Sequence, residues 1–233
     1  MGFFPVALMA AVKYGATSYL VYIVLLLSFI LGLWLRDVVR ESTYQKKYNP
    51  YIMRGVAVGF ILSLVAQSMF YLSIFFALFT LSLRVGNCPV GSLIFLNINL
   101  PAVGSVLLCL SSCVMTESYV RLQRRERKIT GLGLILAFLI CSTFGAVQFV
   151  ELSSYPMPSE HGPVATLIYI AIWAHLAQVI VAIVSVLVSW ARFVNYHFPP
   201  GNEISFMTGA TLYIHFVDVI WLFLLVVIYW WGT

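Results

Sequence analysis

The sequence predicts an all-α polytopic membrane protein, and three observations carry that prediction. Of its 233 residues, 62% are hydrophobic and 9% charged, whereas soluble domains carry roughly 25% charged residues. The mean hydropathy is +0.99, which excludes disorder as firmly as it excludes an ordinary solvated surface. The apolar residues also fall in runs of the length a bilayer needs, about 20 residues per crossing. No Gly/Ser linker, low-complexity tract or internal repeat divides the chain, so residues 1–233 read as one transmembrane helical bundle.

The elements follow in order. Residues 1–14 form a shortened N-terminal segment whose apolar part, 3–12, is about half a span at ~1.5 Å of rise per residue. It reads as an interfacial or partly inserted helix, or the stub of a seventh. It lacks the basic stretch of a signal peptide and the Arg- and Ser-rich character of a transit peptide. Six full spans are then expected at about 15–35, 55–83, 98–120, 129–150, 163–193 and 208–231. The second and fifth are over-long and must tilt or project beyond the hydrocarbon.

Loop charge predicts orientation. Arg36, Arg40, Lys46, Lys47 and Arg54 lie between the first and second spans, and Arg121, Arg124, Arg125, Arg127 and Lys128 between the third and fourth. Arg192 follows near the end of the fifth, so all these cations fall on one face. The other face has Lys13 and Arg84, with Glu151 and Glu160 nearby. The positive-inside rule places the basic face in the cytoplasm or matrix. The C-terminal YWWGT, 229–233, then ends on the far side as an aromatic anchor. The net charge of +5 is thereby a topology and anionic-lipid signal. Nucleic acid is not an expected partner.

Few polar residues interrupt the spans. The stretch RDVVRESTYQ, 36–45, has two readings. Arg36, Asp37, Arg40 and Glu41 can pair along a helix end, the simpler reading from spacing. Alternatively Arg40 and Glu41, with the hydroxyls of Ser42 and Thr43 and with Arg192 on the same face, form a lipid-headgroup cradle. His215 and Asp218 lie three apart in the last span, and Asp218 is ~15 Å along that helix. A carboxylate so deep is costly and is functional by default; a hydrogen-bonded pair that fixes packing is the alternative. His175, the other deep histidine, could bracket a haem with His215, although isolated deep histidines more often bond a neighbour. Gln67, with Ser63 and Ser68 near it, can glue helices but cannot carry a proton as a carboxylate does.

Catalytic chemistry is not expected. Cys88, Cys109, Cys113 and Cys141 contain no CxxC pair, and no third and fourth ligand completes a metal set with Cys109 and Cys113. There is no phosphate loop, nucleophile–base pair or HExxH motif. A small secondary transporter with Gln67, His215 and Asp218 along its path is a rival reading. Transporters of that kind carry repeats or interrupted helices, and neither is visible here.

The stretch HFVDVIWLFLLVVIYWWGT, 215–233, resembles the end of cytochrome c oxidase subunit III, and WLRDVVRESTYQ, 34–45, resembles that family's matrix-side signature. Weaker likeness lies at Pro50, Gly55 and Gly59, Ser82 and Leu83, Pro101, Gln148, Glu151, Arg192, His197 and Phe198. The resemblance covers about residue 15 to the end. It implies a non-catalytic core subunit of the haem–copper oxidase, complex IV, which passes electrons from cytochrome c to oxygen while pumping protons. In that family haem a, haem a3 and copper sit in partner subunits. Subunit III steadies subunit I and holds phospholipids such as cardiolipin, phosphatidylethanolamine or phosphatidylglycerol in a cleft. The implied partners are subunits I and II, accessory subunits and a respiratory supercomplex. The implied location is the mitochondrial inner membrane, with the C-terminus toward the intermembrane space. A bacterial quinol oxidase subunit III keeps the fold but changes membrane and electron donor. The departures are specific. Of the family's seven helices the first is reduced to residues 3–12 or absent, and the family's membrane carboxylate aligns with Gln67. Its GFHGxH motif remains only as Ala174–His175–Leu176–Ala177–Gln178. Its Trp-Pro-Pro loop is replaced by residues 84–99, and its FGFEA approach by residues 205–209.

Overall fold

The structure, a computed structural model, describes residues 17–43, 49–85, 99–153, 162–195 and 204–230. Its elements are α1 (Thr17–Thr43), α2 (Pro50–Val85), α3 (Asn99–Gln123), α4 (Arg127–Ser153), α5 (Gly162–Val194) and α6 (Ile204–Leu224). A π-helical stretch of six residues, Leu225–Trp230, continues α6. Among the described residues, α2 through α6 each contain a stretch long and apolar enough to cross a membrane. The expected short helix at 3–12 lies outside the described residues.

Two helices exceed the expected spans the most. The polar stretch 36–43 is helical and extends α1 past its apolar run. Arg and Glu are strong helix formers, so helix continues where hydropathy stops. The 36 residues of α2 rise ~54 Å, well beyond a ~30 Å hydrocarbon core. Pro50 stands at its first position, where the missing N–H costs nothing.

The chain divides into two compact units, Met1–Val56 and Ala57–Thr233. In the first, α1 exposes Leu25, Leu26, Phe29, Ile30 and Trp34, and Arg36 pairs with the adjacent Asp37 at 3.0 Å. In the second, α3, α4, α5 and α6 pack as a bundle. Its core runs through Leu108, Met115, Leu134, Phe144, Ile172, Val179, Ile214 and Trp221. The outer faces are as apolar as the core, because lipid is their solvent. Hydroxyls inside the helices bond the preceding turn, as Ser111 does to the Leu108 carbonyl at 2.8 Å and Ser118 to that of Val114 at 2.7 Å. Such back-bonding satisfies these hydroxyls in hydrocarbon.

Close approach of α3 and α4 depends on Gly133, because the Ser118 hydroxyl occupies the place a Cβ would take. Gly133→Ala is therefore expected to destabilise the bundle by about 1–3 kcal/mol, the usual cost of overpacking. Thermal unfolding of the purified protein in mild detergent measures it. Adding Ser118→Ala should recover part of the loss.

The turn from α3 to α4 is a helix cap at Arg125, which has φ 63°. The Glu126 N–H donates to the Arg121 carbonyl and the Arg125 N–H to that of Leu122, both at 3.0 Å. This is the pattern in which glycine usually takes the left-handed position. The sharp reversal brings the basic ends of α3 and α4 together. Arg127 then donates to the Phe193 carbonyl at 3.0 Å, and the Arg192 guanidinium lies 4.9 Å over the Phe206 ring. The cations of α3, α4 and α5 thus gather at one end of this bundle.

At the other end Tyr229, expected in an aromatic anchor facing the membrane surface, is instead fully buried. Its hydroxyl donates to Glu151 Oε1 at 2.9 Å. A buried carboxylate needs a donor, and the wider π-helical turns place the phenol where it supplies one.

Candidate functional site

Besides the Tyr229–Glu151 pair, three groups of described polar side chains link helices inside Ala57–Thr233. The first joins α2 to α5. Gln178 Nε2 donates to Gln67 Oε1 at 2.8 Å, and the Tyr71 hydroxyl donates to Gln178 Oε1 at 3.0 Å. The Gln67 amide nitrogen turns back to the Ser63 carbonyl at 3.3 Å. Each amide therefore uses its carbonyl and its NH2, and no member is ionised at neutral pH. This neutral clasp stands where the family resemblance places a carboxylate.

The second group is the centre of the bundle. His175 of α5 is wholly buried, with Nδ1 2.9 Å from the Gln148 amide nitrogen on α4. Its Nε2 lies 3.3 Å from the Val217 carbonyl on α6. Trp221 packs over the imidazole at 5.0 Å and against Phe144 at 5.2 Å. The indole N–H donates to Ser105 Oγ at 2.9 Å, so residues of four helices meet here. Both His175 nitrogens face protein groups, which removes the geometry needed to ligate a haem iron. Among the described residues no three His, Cys, Asp or Glu side chains are placed to hold a metal ion.

The third group lies between α3 and α6. His215 is exposed on the outside of the bundle, and its Nε2 is 2.8 Å from Thr116 Oγ1. The partner of His215 is therefore on another helix, not Asp218 on its own. Asp218 is half-buried, and its Oδ1 is enclosed without a hydrogen-bond partner among the described residues. The Ser112 hydroxyl lies beside this carboxyl and itself donates to the Cys109 carbonyl at 2.9 Å. Cys109 and Cys113 are exposed on the same side of α3, whereas Cys141 is buried.

The headgroup residues are distributed along the basic helix ends. Arg40 and Glu41 are exposed on α1. Ser42 and Thr43 are helical, but their side chains lie outside the described residues. Arg192 is half-buried against Phe206. Within Ala57–Thr233, α2 and the C-terminal end of α6 border a groove of about 620 Å³ lined by Met69, Leu72, Ser73, Phe75, Phe76, Phe79 and Val227.

Sequence reasoning overlooked Tyr71, Thr116 and Trp221 as hydrogen-bond partners. Each belongs to a type that packs well whether or not it bonds, so type and spacing carried no signal. Gln148 and Gln178 were legible as amides in the middle of apolar runs, where an unpartnered amide is costly.

The sequence profile of cytochrome c oxidase subunit III matches residues 4–233. The chain belongs to the cytochrome c oxidase subunit III family. Cytochrome c oxidase subunit 3 of Yarrowia lipolytica is 34% identical, over 87% of this chain and 78% of that protein. The subunit of Allomyces macrogynus is 32% identical, over 86% of this chain and 75% of its own length. That of Cyprinus carpio is 30% identical, over 94% and 86%. The family match begins at residue 4, further toward the N-terminus than the start near 15 expected from motifs alone. Short divergent segments carry too few identities to be seen as motifs, but a profile sums them.

Proposed function

We propose that the chain works as subunit III of complex IV, a non-catalytic core subunit that steadies subunit I and retains phospholipid. The match to the family across residues 4–233 carries this reading. Electron transfer from cytochrome c to oxygen, with proton pumping, then proceeds on haem a, haem a3 and copper held by partner subunits I and II. Accessory subunits and a respiratory supercomplex complete the set of partners. The protein resides in the mitochondrial inner membrane with α1 as a sixth crossing. Its basic helix ends face the matrix and its C-terminus the intermembrane space.

Lipid retention has its own support. Arg40 is exposed at the end of α1 and Arg192 lies at the end of α5, where phosphate headgroups sit. Each guanidinium can offer a charge-assisted fork to a phosphate. The aromatic groove beside α2 suits an acyl chain. Hydrogen bonds to charged groups contribute about 1.5–3 kcal/mol, roughly a 10- to 150-fold preference for an occupied site. Arg40→Ala combined with Arg192→Ala should lower the phospholipid bound per purified complex and shorten its lifetime during turnover. The initial rate should change little. Unaltered lipid stoichiometry together with an unaltered lifetime would refute the retention role.

A further inference from the structure

We infer that the α3–α6 face around His215 is the surface on which a membrane helix of a partner oxidase subunit docks. That helix presents a hydrogen-bond donor at mid-membrane depth. The inference rests on the subunit III reading and specifies which surface of this chain makes the contact. His215 lies ~14 Å into the span that begins at Phe206, close to the middle of the hydrocarbon. Its side chain is exposed there. Ionisable side chains at that depth face protein or a polar cavity, because hydrocarbon offers them no partner. The described part of the chain leaves this imidazole facing outward.

The hydrogen bonds around it define what the partner must supply. The Thr116 hydroxyl donates to the Ser112 carbonyl at 2.9 Å. Its oxygen is then the acceptor for His215 Nε2, 2.8 Å away. In the tautomer that donates from Nε2 to this oxygen, Nδ1 is an acceptor with a lone pair. No described residue reaches Nδ1. A serine, threonine, tyrosine, tryptophan or amide side chain on the docking helix would satisfy it.

The surrounding surface fits a helix. Leu212, Val219 and Leu222 continue the exposed stripe of α6 through His215, while Val106, Cys109 and Cys113 form the parallel stripe of α3. The Thr116–His215 bond joins the two stripes into one surface. Hydrocarbon could cover the aliphatic residues equally well, and the imidazole favours protein instead. In a two-fold pairing centred on His215, a second copy of this chain would set one Nδ1 acceptor against another, which leaves both without a donor.

The test uses the intact oxidase in its native membrane. A lipid-dissolved diazirine is photolysed, and carbene adducts on each helix of this chain are mapped by mass spectrometry. At least tenfold fewer adducts are expected on Leu212, His215, Val219 and Leu222 than on the most heavily labelled helix. Labelling of that stripe to the same extent would overturn the inference. A benzoylphenylalanine placed at Val219 or at Leu212 identifies the occupant, and an adduct with another oxidase subunit is expected. Adducts only with lipid, or with a second copy of this chain, would overturn it. If the chain does not co-purify with haem a, the subunit III reading itself fails. Co-purification with a lipid-labelled α6 stripe rejects the docking face alone.

Discussion

Trp221→Ala is expected to lower the stability of the bundle by about 3–5 kcal/mol, the range for removing a large buried aromatic side chain. Trp221 is 1% exposed and touches Phe144, His175 and Tyr229. Its loss opens a cavity where α3, α4, α5 and α6 meet. Trp221→Phe keeps most of the ring contacts and gives up the N–H bond to Ser105. Ser105 retains its bond to the Pro101 carbonyl at 2.8 Å, so no buried hydroxyl is orphaned. That variant should cost only about 0.5–1.5 kcal/mol. Thermal unfolding in mild detergent separates the two, and equal losses would contradict the packing role given to the indole.

His175→Ala should have the next largest effect, about 2–5 kcal/mol, because it leaves a cavity and strands the Gln148 amide. The cause can be separated by a pair of leucine variants. His175→Leu and Gln148→Leu each leave one buried polar partner unpaired, whereas the double variant removes both. Replacing both partners of a buried hydrogen bond is far less costly than removing one. The double variant is therefore expected to be at least as stable as the less stable single variant. Additive losses would mean that the His175–Gln148 bond contributes little.

Much of the architecture was legible in the sequence because hydropathy fixes membrane spans directly. The runs at 98–120, 129–150 and 163–193 correspond to α3, α4 and α5 within a few residues at most ends. The polar helix extension through Thr43 was harder to read, since the chain stays helical after the hydrophobic signal ends. Candidate site residues were visible as costly exceptions in apolar runs, which is why Gln67, His175, His215 and Asp218 stood out. Their partners were not visible, because pairing across helices depends on rotation about each helix axis. The sequence leaves that angle open: it placed His215 beside Asp218, whereas the packing of α3 against α6 gives it to Thr116. Tyr229 illustrates the same limit, since a tyrosine near a helix end suits both a membrane surface and a buried carboxylate.

Affinity purification of the tagged chain from mitochondrial membranes, followed by reduced-minus-oxidised spectroscopy, tests the central claim most directly. As subunit III of complex IV, the chain should bring down haem a absorbance in fixed stoichiometry, together with subunits I and II. Recovery of the intact chain in a membrane complex that carries no haem a would contradict the assignment.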